Sequence, residues 1–202
     1  MYHYSIYFNS FPIFVPANQS HNAMDKHLDF FNYEACLTYY KGRIQNINQA
    51  KKHGEVSVAK PVLIVAIIDS ITCGEVMANR IPLTEELMAR YKRLMDTYAK
   101  ELTFYSSTAV SNPFWHLQGD GFWHLIGAEC IKNQKITPSV TWIQEYVNYA
   151  CLDDALWVLL QNKTTRMMLR EYIIEHKLTT DSWSSTMAAE ALSIIAALVI
   201  AA

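Results

Sequence analysis

Glycine is scarce in this sequence, with six residues in 202, and no glycine-rich phosphate-binding loop is present. Neither G-x-x-x-x-G-K-S/T nor G-x-G-x-x-G occurs, which excludes nucleotide chemistry that depends on those loops. The cysteines, Cys36, Cys73, Cys130 and Cys151, form no C-x-x-C pair, so the sequence contains no zinc knuckle or redox motif. Unpaired cysteines of this kind favour reduced thiols in a cytosol.

The sequence also lacks an excess of positive charge. Seventeen Lys and Arg face nineteen Asp and Glu, which gives a formal net charge of -2. A histone-like, globally basic polyanion binder is therefore excluded, and any affinity for nucleic acid must be local. Because 51% of the residues are hydrophobic and 18% are charged, we expect a globular chain with a buried core.

The two ends of the chain differ from its middle. Residues 1–23 contain no Lys, Arg, Asp or Glu, and we interpret them as an N-terminal extension rather than a signal peptide, which needs a positive start. Residues 24–180 form the predicted domain, and 181–202 an apolar C-terminal tail. That tail contains Glu190 and is shorter than the roughly 20 apolar residues of a membrane-spanning helix, so we predict a cytoplasmic protein without a membrane partner.

Helical signals dominate the first half of the domain. Apolar spacing predicts a helix over 25–44. A second helix begins near Pro61, and its seven consecutive apolar residues, 62–68, predict a buried central helix that ends at Gly74. Thr84 is placed to cap the next helix. In the last third, helices are predicted to open at 137–139, after a cap at Asp153, and at Thr164.

The segment 113–125 contains the tetrapeptide Phe-Trp-His-Leu twice, eight residues apart, on either side of a Gly-Asp-Gly tip. Aromatic and branched residues around such a tip predict a β-hairpin, with Asn112 extended before Pro113. The expected fold class is α+β, mainly α-helical with a small antiparallel β-sheet or hairpin. Helix, short strand, helix and hairpin in this order predict a winged-helix-like plan.

Positive charge is concentrated in two segments. Residues 41–60 hold five basic side chains and one acid, and 80–100 hold five basic side chains and three acids. These segments could share a phosphate-binding face, although solvated lysines on loops are an equally good interpretation. The candidate DNA contacts are Lys51, Lys52, Lys60, Arg80, Arg90 and Arg93, with Trp115, His116 and Gln118 on the predicted hairpin. The tryptophans are also simply interpreted as core residues.

Catalytic signals are weak. His116 and His124 lie on one predicted hairpin, but no third metal ligand accompanies them, so no metal or other cofactor is predicted. The triplet Glu175-His176-Lys177 is the only nuclease-like pattern, and it has no visible partner strand. No G-x-S-x-G motif or activated cysteine indicates covalent catalysis. The residues alone therefore leave a binding module, a metal-dependent endonuclease and a winged-helix protein-interaction or regulatory domain open.

Several motifs in fixed order carry a more specific signal: AKPVLIVAIID (59–69), NRI (79–81), NPFWHL (112–117), DGFW (120–123) and LD (152–153). Together they make 25–177 resemble the sulfur-binding domain of phosphorothioate-dependent HNH restriction endonucleases. The resemblance implies a module that recognises double-stranded DNA with sulfur in place of one non-bridging phosphate oxygen. Because no His-Asn-His finger follows Lys177, we expect this chain to be non-catalytic by itself, and either to act with a separate HNH nuclease subunit or to be the remnant of a split restriction system.

The resemblance further implies where such DNA would be bound. The basic contact of the family falls near His116, and its sulfur pocket near Tyr149, Ala150 and Leu152. Sulfur is larger and more weakly hydrated than oxygen, so apolar atoms can select it through cheaper desolvation. At pH 7 a histidine is largely neutral, so a family contact made by a permanent cation would be weaker here.

Overall fold

The computed structural model describes the backbone of residues 4–8 and 11–15, and all of residues 32–127 and 138–179. Two short strands, β1 (Tyr4–Phe8) and β2 (Phe11–Val15), pair antiparallel. Helix α1 (Tyr33–Gln45) follows, and the part of the predicted 25–44 helix before Asn32 lies outside the described residues. The predicted tail 181–202 also lies outside them.

The domain then alternates helices with very short strands. In chain order these are β3 (Lys51–Lys52), β4 (Glu55–Val56), α2 (Ala59–Thr72), α3 (Glu85–Tyr98) and α4 (Ser111–His116). A 3-10 turn (Leu117–Asp120), β5 (Trp123–Ile126), α5 (Val140–Tyr146) and β6 (Tyr149–Leu152) follow. The chain continues through α6 (Asp154–Gln161), α7 (Lys163–Ile173) and a π-helical turn (Ile174–Leu178). This mainly helical structure with small antiparallel sheets confirms the predicted α+β class.

Helix α2 is the buried centre of the domain, as its apolar run predicts. Eleven of its residues are buried, and it contacts α3, α4, α6, α7 and the π-helical turn. Pro61 lies in the first turn, where its missing N–H leaves no helical bond unmade. Gly74 follows the C-terminal end with a φ of 74°, the left-handed geometry expected of a helix stop.

Side-chain caps begin three other helices. Thr84 accepts a hydrogen bond from the Leu87 amide, as predicted, and Ser139 accepts one from Trp142 at the start of α5. Helix α7 is capped by Asn162, two residues before the predicted start at Thr164. Asp153 is the N-cap residue of α6, as predicted, but its side chain makes no cap bond. Its carboxylate instead binds two side chains described below.

The hairpin predicted over 113–125 does not form. The first Phe-Trp-His-Leu copy lies in α4 and the 3-10 turn, and the second leads into β5, which pairs with β6 rather than with 113–117. Asn112 is helical rather than extended, since α4 begins at Ser111. The helix tolerates Pro113 because this residue lies in its first turn. The two copies pack together: the indole N–H of Trp123 donates to the Phe114 carbonyl at 2.8 Å, and both rings are fully buried.

The order of elements behind the winged-helix expectation is thus not the observed order. A hairpin does form elsewhere, at residues 51–56 between α1 and α2, and we call it the basic hairpin. Its turn uses His53 at φ 47° and Gly54 at φ 85°, the positive values that two-residue hairpin turns need. The winged-helix plan stays a prediction, and so do the domain limits at 24–180.

Candidate nucleic-acid interface

A surface cleft of about 500 Å³ lies between the base of the basic hairpin, the start of α2 and helix α4. Its walls include Gln49 and Ala50 before the hairpin, Ala59 and Lys60 at the start of α2, and Pro113 and His116 on α4. Two of the sequence-predicted contacts, Lys60 and His116, therefore come together here although 56 positions separate them in the chain. Apolar carbon atoms and one ammonium group share the same recess.

Asp120 fixes the position of Lys60 in this cleft. The Lys60 ammonium lies 2.6 Å from the Asp120 carboxylate, and the two side chains are only 13% and 5% exposed. The other carboxylate oxygen of Asp120 accepts from the Asn48 amide at 2.8 Å. The Asp120 carbonyl also accepts from the guanidinium of Arg43. The 3-10 turn thereby connects α1, α2 and the chain leading to the basic hairpin.

His116 enters the cleft from α4 with an exposed side chain. Its pKa is lowered from the ordinary value, first by burial and then by the positive charge of Lys60. Both effects disfavour the imidazolium form. In the free protein His116 is therefore a neutral ring that can donate one hydrogen bond, and an anion placed beside it would favour its protonation.

The basic hairpin projects next to the cleft. Lys51 and Lys52 are exposed, and neither belongs to an ion pair in the described part of the chain. Lys52 lies 4.5 Å from the centre of the exposed Phe104 ring. Glu55 anchors the hairpin, because its carboxylate accepts hydrogen bonds from the amides of Thr103 and Phe104 at 2.8 and 2.9 Å. Two cations are thus presented on an anchored support.

Comparison with known proteins gives the family. The sequence model of the ScoMcrA-like DNA sulfur-binding domain matches residues 40–184. The chain belongs to this family of DNA sulfur-binding domains. The matched range contains the whole cleft and the basic hairpin, and the resemblance drawn from the sequence motifs is confirmed. No curated protein matches the chain.

The other predicted cations of this sulfur-binding domain differ in their exposure and in their contacts. Arg90 forms an ion pair with Glu75 and is only 16% exposed, so much of its charge is already neutralised. Arg93 is exposed on α3. Arg80 is exposed as well, and its guanidinium carbon lies 4.4 Å from the centre of the Tyr149 ring, which makes a cation–π contact.

Trp115 and Gln118 flank His116 in sequence but do not share its exposure. Trp115 is buried and packs edge-to-face on Trp142, with ring centres 5.1 Å apart. Gln118 is half-buried, and its side-chain amide donates to the Trp115 carbonyl at 2.9 Å. In this conformation the Trp115 ring belongs to the core, and Gln118 stabilises the end of α4.

The predicted sulfur-pocket residues lie on β6, where side chains alternate between two faces. Tyr149 is half-buried and meets Arg80, whereas Ala150 and Leu152 are 0% and 5% exposed and point into the core. Ala150 also exchanges backbone hydrogen bonds with Ile81 at 2.7 and 2.9 Å. The three residues therefore do not line one surface recess, and their assignment to sulfur stays a prediction.

A separate polar network lies at the other end of β5. Asp153 accepts a hydrogen bond from the Tyr40 hydroxyl at 3.0 Å and contacts the His124 ring nitrogen at 2.7 Å. The hydrogen bond between His124 and Asp153 is the largest cause of the raised pKa of His124. The described residues contain no group of three His, Cys, Asp or Glu side chains that could hold a metal ion. No described helix is long and apolar enough to span a membrane.

Sequence reasoning missed several parts of the cleft. Gln49, Ala50 and Pro113 were not predicted as contacts, and neither was the anchoring role of Asp120. A weak signal for the basic hairpin was present, since Gly54 lies between Lys51-Lys52-His53 and the alternating residues Val56-Ser57-Val58. No comparable local signal identifies Asp120, because its partners come from distant parts of the chain.

Proposed function

We propose that this chain recognises double-stranded DNA that carries a phosphorothioate linkage, and that the cleft between the basic hairpin and α4 receives the sulfur-bearing group. One observation supports the proposal above all: a single cleft is lined by the apolar residues Ala50, Ala59 and Pro113 together with Lys60 and His116. Membership of a DNA sulfur-binding family gives the class of ligand.

Such a cleft can distinguish sulfur from oxygen by desolvation. A phosphate oxygen loses strong hydrogen bonds to water when it meets apolar carbon, whereas the more polarizable sulfur loses less. The gain from a few contacts of CH₂ size is about 1 to 3 kcal/mol. That difference corresponds to a preference of roughly fivefold to 150-fold for the phosphorothioate.

Charge supplies the remaining affinity. The linkage is an anion in either chemical form. Lys60 is already paired with Asp120, so it attracts the linkage only with the charge that this pair leaves uncompensated, and His116 can donate a hydrogen bond to it. The exposed lysines of the basic hairpin, Lys51 and Lys52, are suited to the neighbouring phosphates. These contacts do not depend on sulfur, and they make binding sensitive to salt.

The chain is proposed to act as a reader rather than as the nuclease, in the cytoplasm and with a separate HNH subunit. Its cleft combines hydrogen-bond donors with apolar walls, which suits recognition. The endonuclease alternative would use Glu175 and Lys177 with Asp153 or Asp154. It gains no support from the described residues, in which Glu175 is 78% exposed and Asp153 is engaged by Tyr40 and His124. Incubation with Mg²⁺ or Mn²⁺ and modified DNA tests this point, and any nicking would contradict it.

The decisive experiment compares two duplexes that differ only in one sulfur atom. Fluorescence anisotropy with purified phosphorothioate diastereomers and with the unmodified duplex gives three dissociation constants. We expect one diastereomer to bind roughly fivefold to 150-fold more tightly than unmodified DNA, because only one places sulfur against the apolar wall. Equal affinity for all three duplexes would remove the sulfur claim.

Two variants separate the roles of the cleft. Ala50→Ser adds a hydroxyl to the apolar wall and is expected to reduce the sulfur preference, while Ala89→Ser, on the exposed face of α3, leaves it unchanged. Replacing Lys51 and Lys52 together by Gln is expected to weaken binding of modified and unmodified DNA by the same factor. Replacing the exposed Lys92 and Lys100 together by Gln is the control that removes the same charge.

A further inference from the structure

The triplet 175–177 has no role in the proposed function, yet the structure gives it an unusual setting. Helix α7 ends in a π-helical turn, and such turns are rare and frequently lie at functional sites. From this turn the Lys177 ammonium reaches α1 and donates to the Gln45 carbonyl. It also lies 3.4 Å from the side-chain oxygen of Gln49. Lys177 therefore bonds to neutral oxygen atoms rather than to a carboxylate.

A second cation lies beside it. The Lys41 ammonium is 5.0 Å from the centre of the Tyr172 ring, and the His176 ring stacks on the same tyrosine at 4.2 Å. The Tyr172 hydroxyl donates to the side chain of Gln45 at 3.2 Å, which ties the ring to the residue that also receives Lys177. Lys41, His176 and Lys177 thus gather around Gln45 and Tyr172 at the C-terminal end of α1.

The acids near this group leave its positive charge largely uncompensated. Glu175 is 78% exposed, and its carboxylate lies 3.8 Å from the His176 ring. Glu171 is exposed on α7. In the described part of the chain neither carboxylate forms an ion pair with Lys41 or Lys177. Among the described residues, no carboxylate would have to be displaced for an anionic ligand to approach both ammonium groups.

The group is continuous with the cleft through Gln49. The Gln49 side chain lines the cleft, and its amide nitrogen donates to the Ser57 carbonyl at 2.8 Å. Its oxygen faces the Lys177 ammonium. One glutamine thus links the π-helical turn to the cleft wall, so a duplex held in the cleft would pass close to Lys177.

We propose that Lys177 and Lys41 form a second phosphate-binding site for the same DNA, adjoining the cleft at Gln49. This inference takes its ligand from the proposed function. The site contacts the backbone without reading sulfur, so it contributes equally to the affinity for modified and unmodified duplexes. Each ammonium exchanges a neutral oxygen or a ring face for a phosphate oxygen, which is the stronger partner.

The test measures how binding depends on salt. Dissociation constants of the full chain for the unmodified and the phosphorothioate duplex are determined between 50 and 200 mM salt for Lys177→Gln, Lys41→Gln and wild type. Each lost phosphate contact lowers the slope of log affinity against log salt by about 0.9. Over this range the salt-induced loss of affinity is then about 3.5-fold smaller than for wild type. Lys177→Arg is expected to restore most of the slope.

Lys163→Gln is the matched control, because Lys163 is an exposed lysine at the opposite end of the same helix. A slope that is unchanged in both Lys177→Gln and Lys41→Gln would overturn the inference. Lys177 also binds the Gln45 carbonyl, so its loss could affect folding. Within residues 32–127 and 138–179, the Lys41 ammonium makes only the ring contact with Tyr172, and its variant therefore tests the site without that complication.

The inference and the proposed function fail in different ways. If wild type prefers the phosphorothioate but both glutamine variants keep its slope, the second site is wrong and the cleft proposal stands. If wild type binds both duplexes equally but the variants lose slope, the sulfur proposal is wrong and the phosphate site stands.

Discussion

Replacing Asp120 gives the most direct test of how the cleft is built. Asp120→Ala removes the carboxylate that holds Lys60 at 2.6 Å and the acceptor of the Asn48 amide at 2.8 Å. The Asp120 carbonyl remains, so the contact with Arg43 is kept in principle. Asp120→Asn keeps an oxygen for Asn48 but loses the negative charge.

The expected loss follows from the burial of the pair. Removing one partner of a buried ion pair costs about 3 to 5 kcal/mol. Lys60 borders an open cleft, where its ammonium can regain water, so the cost lies at the lower end of this range. The lost hydrogen bond from the Asn48 amide adds about 1 kcal/mol. We expect Asp120→Ala to lower the free energy of unfolding by about 3 to 4 kcal/mol, and Asp120→Asn by about 2 kcal/mol.

Urea denaturation followed by tryptophan fluorescence measures this loss, because Trp123 is fully buried beside the 3-10 turn in sequence. A double-mutant cycle of Asp120→Ala with Lys60→Met isolates the pair, and we expect a coupling energy of about 2 kcal/mol. Asp96→Ala is the control: its pair with Lys92 is exposed, and its loss should cost less than about 0.5 kcal/mol. Zero coupling between Asp120 and Lys60 would refute the reasoning.

Three further predictions concern single residues. DNA affinity should rise as pH falls from 8.5 to about 5.5, because a bound anion raises the lowered pKa of His116 and binding then takes up a proton. Anisotropy measurements in which the affinities of wild type and His116→Gln are both independent of pH would contradict this. The contact with Asp153 raises the pKa of His124, so protonated His124 stabilises the folded state. This contribution is fully present at a pH below the unfolded-state pKa of about 6.5 and is lost as pH rises through the folded-state pKa. The difference in Tm between wild type and His124→Ala should therefore shrink with rising pH, and a constant difference would argue against the charged pair. Gly121→Ala places a Cβ against the Arg43 guanidinium at a backbone φ of 79°. It should lower the free energy of unfolding, measured in urea, by about 1 to 2 kcal/mol. An unchanged value would mean that the turn relaxes freely.

The helices could be predicted because their signals are local. An apolar run, a proline in the first turn and a glycine after the last turn all act within a few residues, and they place α2 correctly. Thr84 and Ser139 likewise cap their helices through bonds to residues three positions away. Such short-range hydrogen bonds are set by sequence alone.

The error over 113–125 has a different origin. One tetrapeptide, Phe-Trp-His-Leu, is helical at its first copy and extended at its second, so its intrinsic preference does not decide its structure. The first copy follows Pro113 in the opening turn of α4, and the second pairs with β6, which lies more than twenty residues later. Long-range pairing therefore determined the outcome, as is common for short strands.

The family could be predicted from motif order, whereas the site geometry could not. Lys60 and His116 were both identified as contacts, but their meeting depends on Asp120, which joins segments 60 and 72 positions away. The predicted pocket on β6 was carried over from the family resemblance, and strand alternation sends Ala150 and Leu152 into the core. Contacts between distant segments leave no periodic trace in the sequence.

The anchoring of the basic hairpin by Glu55 has a consequence for measurements made at different acidity. The two amide bonds from Thr103 and Phe104 hold the pKa of this carboxylate below its usual range, so it stays ionised well beneath the interval in which histidines titrate. The basic hairpin consequently keeps its anchor at Glu55 from neutral to mildly acidic buffer. The difference between the DNA-binding titration curves of wild type and His116→Gln in that interval then reports on the imidazole of His116.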